Sequence, residues 1–406
     1  MDMPIKRSGV GPVLLNLFAQ SMFVASLVLP LAWNRGDAIV ALAVGTTIAG
    51  AASHTITLAI RSRLPTEPSD DQARTAVVAC GTTAVIAGIL LSAFVAVLLS
   101  LSFGEAMGVL SVVLSLGLLT IVSAVLIRRH DLPAVARVRL ANGSLTMLAT
   151  LLACVLGVAP SLFLLATAVG NVAGCVAGTR LREIRIVLFR MLHIRAQLRA
   201  SLRYAWDGRP LVVASVLSGL SGFGISFVIS SASDDLQVAL ASVVRVLSGL
   251  QNLGANVAGP SVDIRVASAY RMRKPGLLRE ALRLGIFVGV ALSAGGLLAA
   301  GALTQIVVKA GQLDSTDFFV LVIASIGLGL SGVGLSCVWT FLGMIGEYTR
   351  RLRWDLVRGS GYLTACFLSE QLALVVLGVV GLVSFFHYVA EARLAVSQLG
   401  SQQHHD

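Results

Sequence analysis

The uncharged apolar runs in this chain are too long for a water-soluble fold. Stretches such as 75–102, 107–127 and 160–178 contain no charged residue at all. A helix needs about 20 apolar residues to cross a bilayer. Only helices or closed barrels satisfy the backbone there, and barrel strands would show alternation over about 10 residues instead. Charged residues make up 13% of the chain and hydrophobic residues 56%, against roughly a quarter charged in ordinary soluble domains. Disorder, a coiled coil and a cytosolic globular enzyme are excluded. Twelve spans fit, at 11–33, 38–60, 75–102, 107–127, 140–158, 160–178, 210–230, 237–258, 284–308, 318–343, 355–374 and 376–396. The stretch Gly359–Arg393 accommodates one tilted span or two with a turn near Leu374–Val376. Two are expected, because Arg393 then lies on the inner side.

The net charge of +11 looks like that of a nucleic-acid binder until its carriers are placed. With the N-terminus inside, almost all of the 31 cations fall on cytoplasmic connections. The exceptions are Arg35 and Lys309 outside and Arg245 within a span. Positive charge stays on the cytoplasmic side and there attracts anionic lipid heads. The expectation is a multi-pass protein of the bacterial inner (cytoplasmic) membrane with both termini in the cytoplasm, bound to membrane lipids and to no nucleic acid. Lys6 and Arg7 before an apolar run resemble a signal peptide. No cleavage is expected, because the run has a counterpart in mid-chain. Cys80, Cys154, Cys175, Cys337 and Cys366 sit in apolar runs without metal-ligand spacing, so neither a metal nor any other cofactor is expected. No G-x-x-x-x-G-K-[ST] loop is present to hold ATP.

The counterpart is a repeat. Residues 12–43 align without a gap to 210–241, pairing Pro12 with Pro210, Asp37 with Asp235, and Val40-Ala41-Leu42-Ala43 with Val238-Ala239-Leu240-Ala241. Six spans per half give parallel halves related by an axis along the membrane normal, with a substrate site near the midplane between them. The domains read as an N-terminal six-helix lobe at 1–179, a basic cytoplasmic linker helix at 180–209, and a C-terminal six-helix lobe at 210–406. The linker carries arginines from Arg180 to Arg203 among apolar residues, which suits a helix lying in the interface.

Ionisable residues inside a membrane mark function by default. Arg245 is the clearest, and its guanidinium does not deprotonate. It needs water, a carboxylate such as Asp234 or Asp235, or an anionic substrate. Ser242, Arg245, Ser248, Gly249, Asn252 and Asn256 share one helix stripe. Span 1 adds Asn16 and Gln20; span 2 adds Thr46, Gly50, Ser53, His54 and Thr57; span 7 adds a Ser/Gly stripe. Small residues also serve close helix packing, and His54 also reads as a satisfied polar residue near the inner surface. Spans 1 to 10 hold no interior Asp or Glu, which leaves Glu370 as the one acidic candidate. A cation in a low-dielectric cavity favours an anion, and phosphate oxygens suit guanidinium best.

The chain resembles the MOP superfamily, specifically its Wzx-type polysaccharide flippases. The resemblance runs over nearly the whole chain. It is most specific from Ser201-Leu202-Arg203-Tyr204 through Val238-Ala239-Leu240-Ala241-Ser242-Val243-Val244-Arg245 to Gly259-Pro260-Ser261. It implies an all-α integral membrane fold of about 12 helices, in two six-helix lobes around a central cavity built from spans 1, 2, 7 and 8. It also implies alternating access that moves a polyprenyl-pyrophosphate-linked sugar to the outer leaflet. On that reading Arg245 holds the pyrophosphate, with help from helix ends or from Arg35 and Lys309. Asn16, Gln20, Asn252, Asn256 and His54 line the cavity. The carrier would be a monomer, not an enzyme, working beside a polysaccharide polymerase or glycosyltransferases. The rivals are a MATE-type exporter, which needs a titratable carboxylate in span 1 or 7, a non-transporting envelope scaffold, and a membrane glycosyltransferase, for which the outer loops are too short.

Overall fold

Five helices end in the same way, and their ends set the hairpins of the fold. The computed structural model describes residues 10–67, 69–98, 100–179, 209–257, 259–310, 315–330 and 344–401, with isolated positions 199, 203 and 206. The side chains of 10, 13, 28, 54–62, 79–80, 82–83, 98, 251–256, 299–310 and 399–401 lie outside the described residues. The α-helices are α1 (Val10–Ala32), α2 (Gly36–Arg63), α3 (Asp70–Leu98), α4 (Phe103–Arg128), α5 (Leu132–Val155), α6 (Leu162–Gly178), α7 (Arg209–Ser231), α8 (Asp234–Val257), α9 (Gly259–Arg271), α10 (Pro275–Ala310), α11 (Ser315–Gly329), α12 (Tyr348–Ala365) and α13 (Glu370–Ser401).

Asn34, Ser100, His130, Gly157 and Arg273 take left-handed φ values of 54°, 49°, 58°, 60° and 53°. After each, the next N–H reaches back five residues, as in Arg35 to Pro30, Asp131 to Leu126 and Lys274 to Ala269. This is the Schellman end of a helix, which satisfies orphan carbonyls. Starts are specified as locally. Ser102 and Glu105 form a reciprocal capping box on α4, and the Asp131 carboxylate accepts from the Ala134 N–H at the start of α5.

Each of the twelve expected spans overlaps a described helix, with 331–343 of the tenth lying outside the described residues, and α9 is an additional short helix. Among the described residues, six helices are long and apolar enough to cross a membrane by length and composition. The expected turn near Leu374–Val376 is displaced. The chain turns at 366–369, between α12 and α13. The reason is that α12 begins at Tyr348 and takes into its length arginines that had read as loop charges. Glu370 consequently opens α13 at the end of the molecule, where its Oε1 accepts from the Ser233 N–H at 2.7 Å and the Ser233 hydroxyl at 3.0 Å. It is not an acid in the interior of a span.

Helices α1 to α6 pack among themselves, and α7 with α10 to α13 form a second bundle. Small residues set the close approaches. A Cβ on Gly143 of α5 would stand 2.2 Å from the Ala19 carbonyl oxygen of α1, and one on Gly327 of α11 would stand 2.0 Å from the Gly378 oxygen of α13. The bundles meet where α1 and α2 face α7 and α8. There Gly222 packs on Ala51 and Gly249 packs on Val24 and Leu27. Under the sequence offset of 198, Gly222 corresponds to Val24 and Gly249 to Ala51, so these two contacts are symmetry mates.

Candidate functional site

Arg245 sits at this meeting of the bundles. It is 4% exposed, and its Nη1 donates to the Thr46 hydroxyl at 2.8 Å, across 199 residues of sequence. Its Nε is buried without a hydrogen-bond acceptor among the described residues. No described carboxylate lies within ion-pair distance of it, so the expected alternative of pairing with Asp234 or Asp235 is not realised. Thr46 sits on α2 with Ile39 and Ala43 on the same face, at spacings of four and three. Ile39 and Ala43 belong to one apolar cluster with Val228, Leu240 and Val244 of the other bundle. One polar bond thus lies directly beneath an apolar layer that joins the halves.

Asn16 and Gln20 are buried on α1, at 5% and 1% exposure, but neither is bonded to Arg245. The side chains of His54, Asn252, Asn256 and Lys309 lie outside the described residues. Arg35, expected in support, lies in the turn between α1 and α2 and has partners of its own. Arg35 is held at the end of the molecule by Asp37 at 3.2 Å and the Val158 carbonyl at 2.8 Å, and its guanidinium lies over the Phe163 ring.

A second charged group was not visible as such in the sequence. In α12, Arg351 Nε donates to Asp355 Oδ2 at 2.6 Å, and Arg358 Nη2 stands 3.8 Å from Asp355 Oδ1 while donating to Ser218 of α7 at 2.7 Å. Both guanidinium groups stack on Trp354, whose indole N–H donates to the Ser384 carbonyl of α13. The spacing 351, 355, 358 puts all three on one helix face, and that was the available signal. Asn142, Asn171 and Ser115 make a similar tie in the first bundle, at 2.8 and 3.2 Å across α5, α6 and α4. Both networks bind helices together, although Arg351 Nη2, Asp355 Oδ1 and Arg358 Nε make no hydrogen bond among the described residues.

At the basic end the bundles meet through polar groups. Arg128 donates to Asp70 at 2.8 Å and to the carbonyls of Leu64 and Glu67. His130 Nε2 lies in hydrogen-bond contact with Arg271 and Ser268 of α9. Burial first, then the Arg271 charge, pushes the His130 imidazole below its ordinary value.

No protein family's sequence profile matches the chain, and no curated relative does. Solved structures do match. A MOP superfamily transporter from Pyrococcus furiosus, described as having a binding pocket of reversed polarity that suggests a different function, is 15% identical with a TM-score of 0.57, covering 97% of this chain and 100% of its own. The lipid II flippase MurJ in an inward closed conformation is 12% identical with a TM-score of 0.58, covering 96% and 88%. The MATE transporter VcmN of Vibrio cholerae is 15% identical with a TM-score of 0.54, covering 96% and 94%. The chain shares its overall fold with these three solved structures. All three matches are transporters rather than enzymes. The all-α, multi-pass membrane architecture is common ground, whereas the chemistry rests on this chain's own residues.

Proposed function

We propose that this chain is a flippase that carries the pyrophosphate-bearing head of a polyprenyl-linked oligosaccharide from the cytoplasmic to the outer leaflet by alternating access. The observation that carries the reading is Arg245, a buried cation at the junction of the halves with one neutral hydroxyl as its hydrogen-bond partner. Taking a charge out of water costs several kcal/mol, and a well-placed opposite charge offsets that cost. A pyrophosphate supplies that charge and matches the guanidinium fork bidentately. Moved unaided, the same head would strand charged and hydroxyl groups in hydrocarbon.

A cation exporter would use a free carboxylate in this region. Of the described buried acids, Asp355 and Glu391 are held by Arg351 and Arg350, and Asp263 lies on the short helix α9. Similarity to a lipid II flippase and to a transporter with a reversed pocket polarity is consistent with an anionic cargo. In this proposal the moving halves are 1–179 and 210–406, joined by the linker 180–209. Both termini lie in the cytoplasm, and a monomer in the inner membrane works beside polymerase or glycosyltransferases. Asn16, Gln20, Asn252, Asn256 and His54 face the sugar or its water.

The test is leaflet transfer of a fluorescent polyprenyl-pyrophosphate sugar in reconstituted liposomes. Wild type transfers it, and Arg245→Gln, still monodisperse, loses most of the rate. Equal rates in the two proteins remove Arg245 from the mechanism.

A further inference from the structure

The chemistry of the Arg245–Thr46 bond gives it a role beyond holding two helices together. A threonine hydroxyl has one hydrogen and two lone pairs. The Thr46 hydrogen goes to the Leu42 carbonyl, one turn back on α2. What Thr46 presents to α8 is therefore an acceptor lone pair, and Arg245 Nη1 occupies it at 2.8 Å. The remaining guanidinium donors include a buried Nε without an acceptor among the described residues. One neutral acceptor for a fork of five donors is a weak partner. An oxyanion that takes two of those donors with charge assistance forms bonds roughly twice as strong each.

We infer that Thr46 is the positioning residue of the anion site: it holds the Arg245 guanidinium across the two halves in the empty, shut carrier, and an arriving phosphate-type anion releases it. This rests on the reading of Arg245 as the ligand of the cargo's head. Three features make the release matter for transport. The bond joins the two halves rather than residues of one half. It lies within a turn of the apolar layer of Ile39, Ala43, Leu240 and Val244 that joins the halves. The equivalent of Arg245 in the repeat is Thr47, the neighbour of Thr46, so the bond sits close to the axis relating the halves. A charge that is anchored only while the site is empty keeps an empty carrier from opening. Loading moves the guanidinium onto the anion and leaves the apolar layer as the remaining tie at this level.

The experiment uses the full chain in lipid nanodiscs, with the five native cysteines replaced and spin labels at Trp33→Cys and Asp234→Cys. These positions flank the far-end junction where Val238 packs on Gly36. The probe is inorganic pyrophosphate, with binding and the inter-label distance distribution both recorded. In wild type, pyrophosphate raises the population with separated ends. Thr46→Val, isosteric but without the acceptor, binds pyrophosphate about tenfold more tightly, the lower end for a hydrogen bond to a charged group. It also shows the separated population before any ligand is added. Thr46→Ser restores wild-type behaviour, and Arg245→Gln does not respond. A Thr46→Val protein with wild-type affinity and distances overturns the inference, even where the lipid is still flipped. A chain that follows the predicted pattern with pyrophosphate but moves no polyprenyl-linked sugar keeps the latch and loses the proposed cargo. Absence of any pyrophosphate response in wild type overturns both.

Discussion

Neutralising Asp355 removes the negative charge that stands between two buried arginines, and the cost follows from the geometry. Arg351 and Asp355 are both fully buried and 2.6 Å apart, with Arg358 at 3.8 Å from the other oxygen. At an effective dielectric constant near 20, a unit-charge pair 4 Å apart is worth about 4 kcal/mol. Asp355→Asn keeps the shape and one acceptor for Arg351 Nε, so the loss is chiefly of charge. Breaking a buried pair from one side costs about 3–5 kcal/mol, and that is the expected destabilisation. The assay is denaturant unfolding in micelles, followed by Trp354 emission in a chain whose other tryptophans are phenylalanine. Trp354 is suited to this because both guanidinium groups lie over it, at 5.3 and 4.6 Å. The control replaces all three charges, as Arg351→Met, Asp355→Leu and Arg358→Met. Apolar replacement of a whole buried ionic group is often neutral or stabilising, so this variant should recover most of the loss. An Asp355→Asn protein within about 1 kcal/mol of wild type, or a triple variant worse than the single one, refutes the reasoning.

Three further outcomes are expected. While neutral, His130 accepts from the Arg271 N–H at Nε2, with the Ser268 hydroxyl also in contact, and its value is depressed below 6.5. The contact is therefore complete at neutral pH and weakens as pH falls below about 6.5, when a second cation forms beside Arg271 in a region that also holds Arg128, Arg129, Asp70 and Asp131; crosslinking between the α4–α5 turn and α9 across pH 7.5 to 5 checks this, and His130→Gln should flatten the profile. Gly327→Ala places a methyl 2.0 Å from the Gly378 oxygen, so α11 and α13 must separate; a loss of about 1–3 kcal/mol, the usual cost of overpacking, is expected in thermal unfolding. Ser102→Ala removes one side of the α4 capping box and should cost about 1 kcal/mol, with increased hydrogen exchange confined to the first turn of α4.

The helices and their order were legible in the sequence because a bilayer leaves few options. Uncharged runs of spanning length must be helical there, so α4 and α6 follow from their composition alone. Reading arginines as markers of the aqueous side misplaces the turn between α12 and α13. Arg351 and Arg358 lie instead on an interior face, tolerated because Asp355 and Trp354 stand within reach. The same error moved Glu370 into a span interior, although its own position opens a helix.

Arg245 could be singled out from its position in an otherwise uncharged run, and its burial follows the stripe of small and polar residues on α8. Its partner could not be found that way. Thr46 is one of many hydroxyl residues in spans 1, 2 and 7, and it lies 199 residues away. Local sequence determined the apolar spans, the caps and the left-handed helix ends, since each depends on a residue and its near neighbours in the chain. Tertiary structure alone decided that Thr46 meets Arg245 and that Asp355 stands between two arginines and Ser218. A hydrogen bond is made within about 3 Å, and which groups come that close is set by how the packed helices rotate and slide against one another.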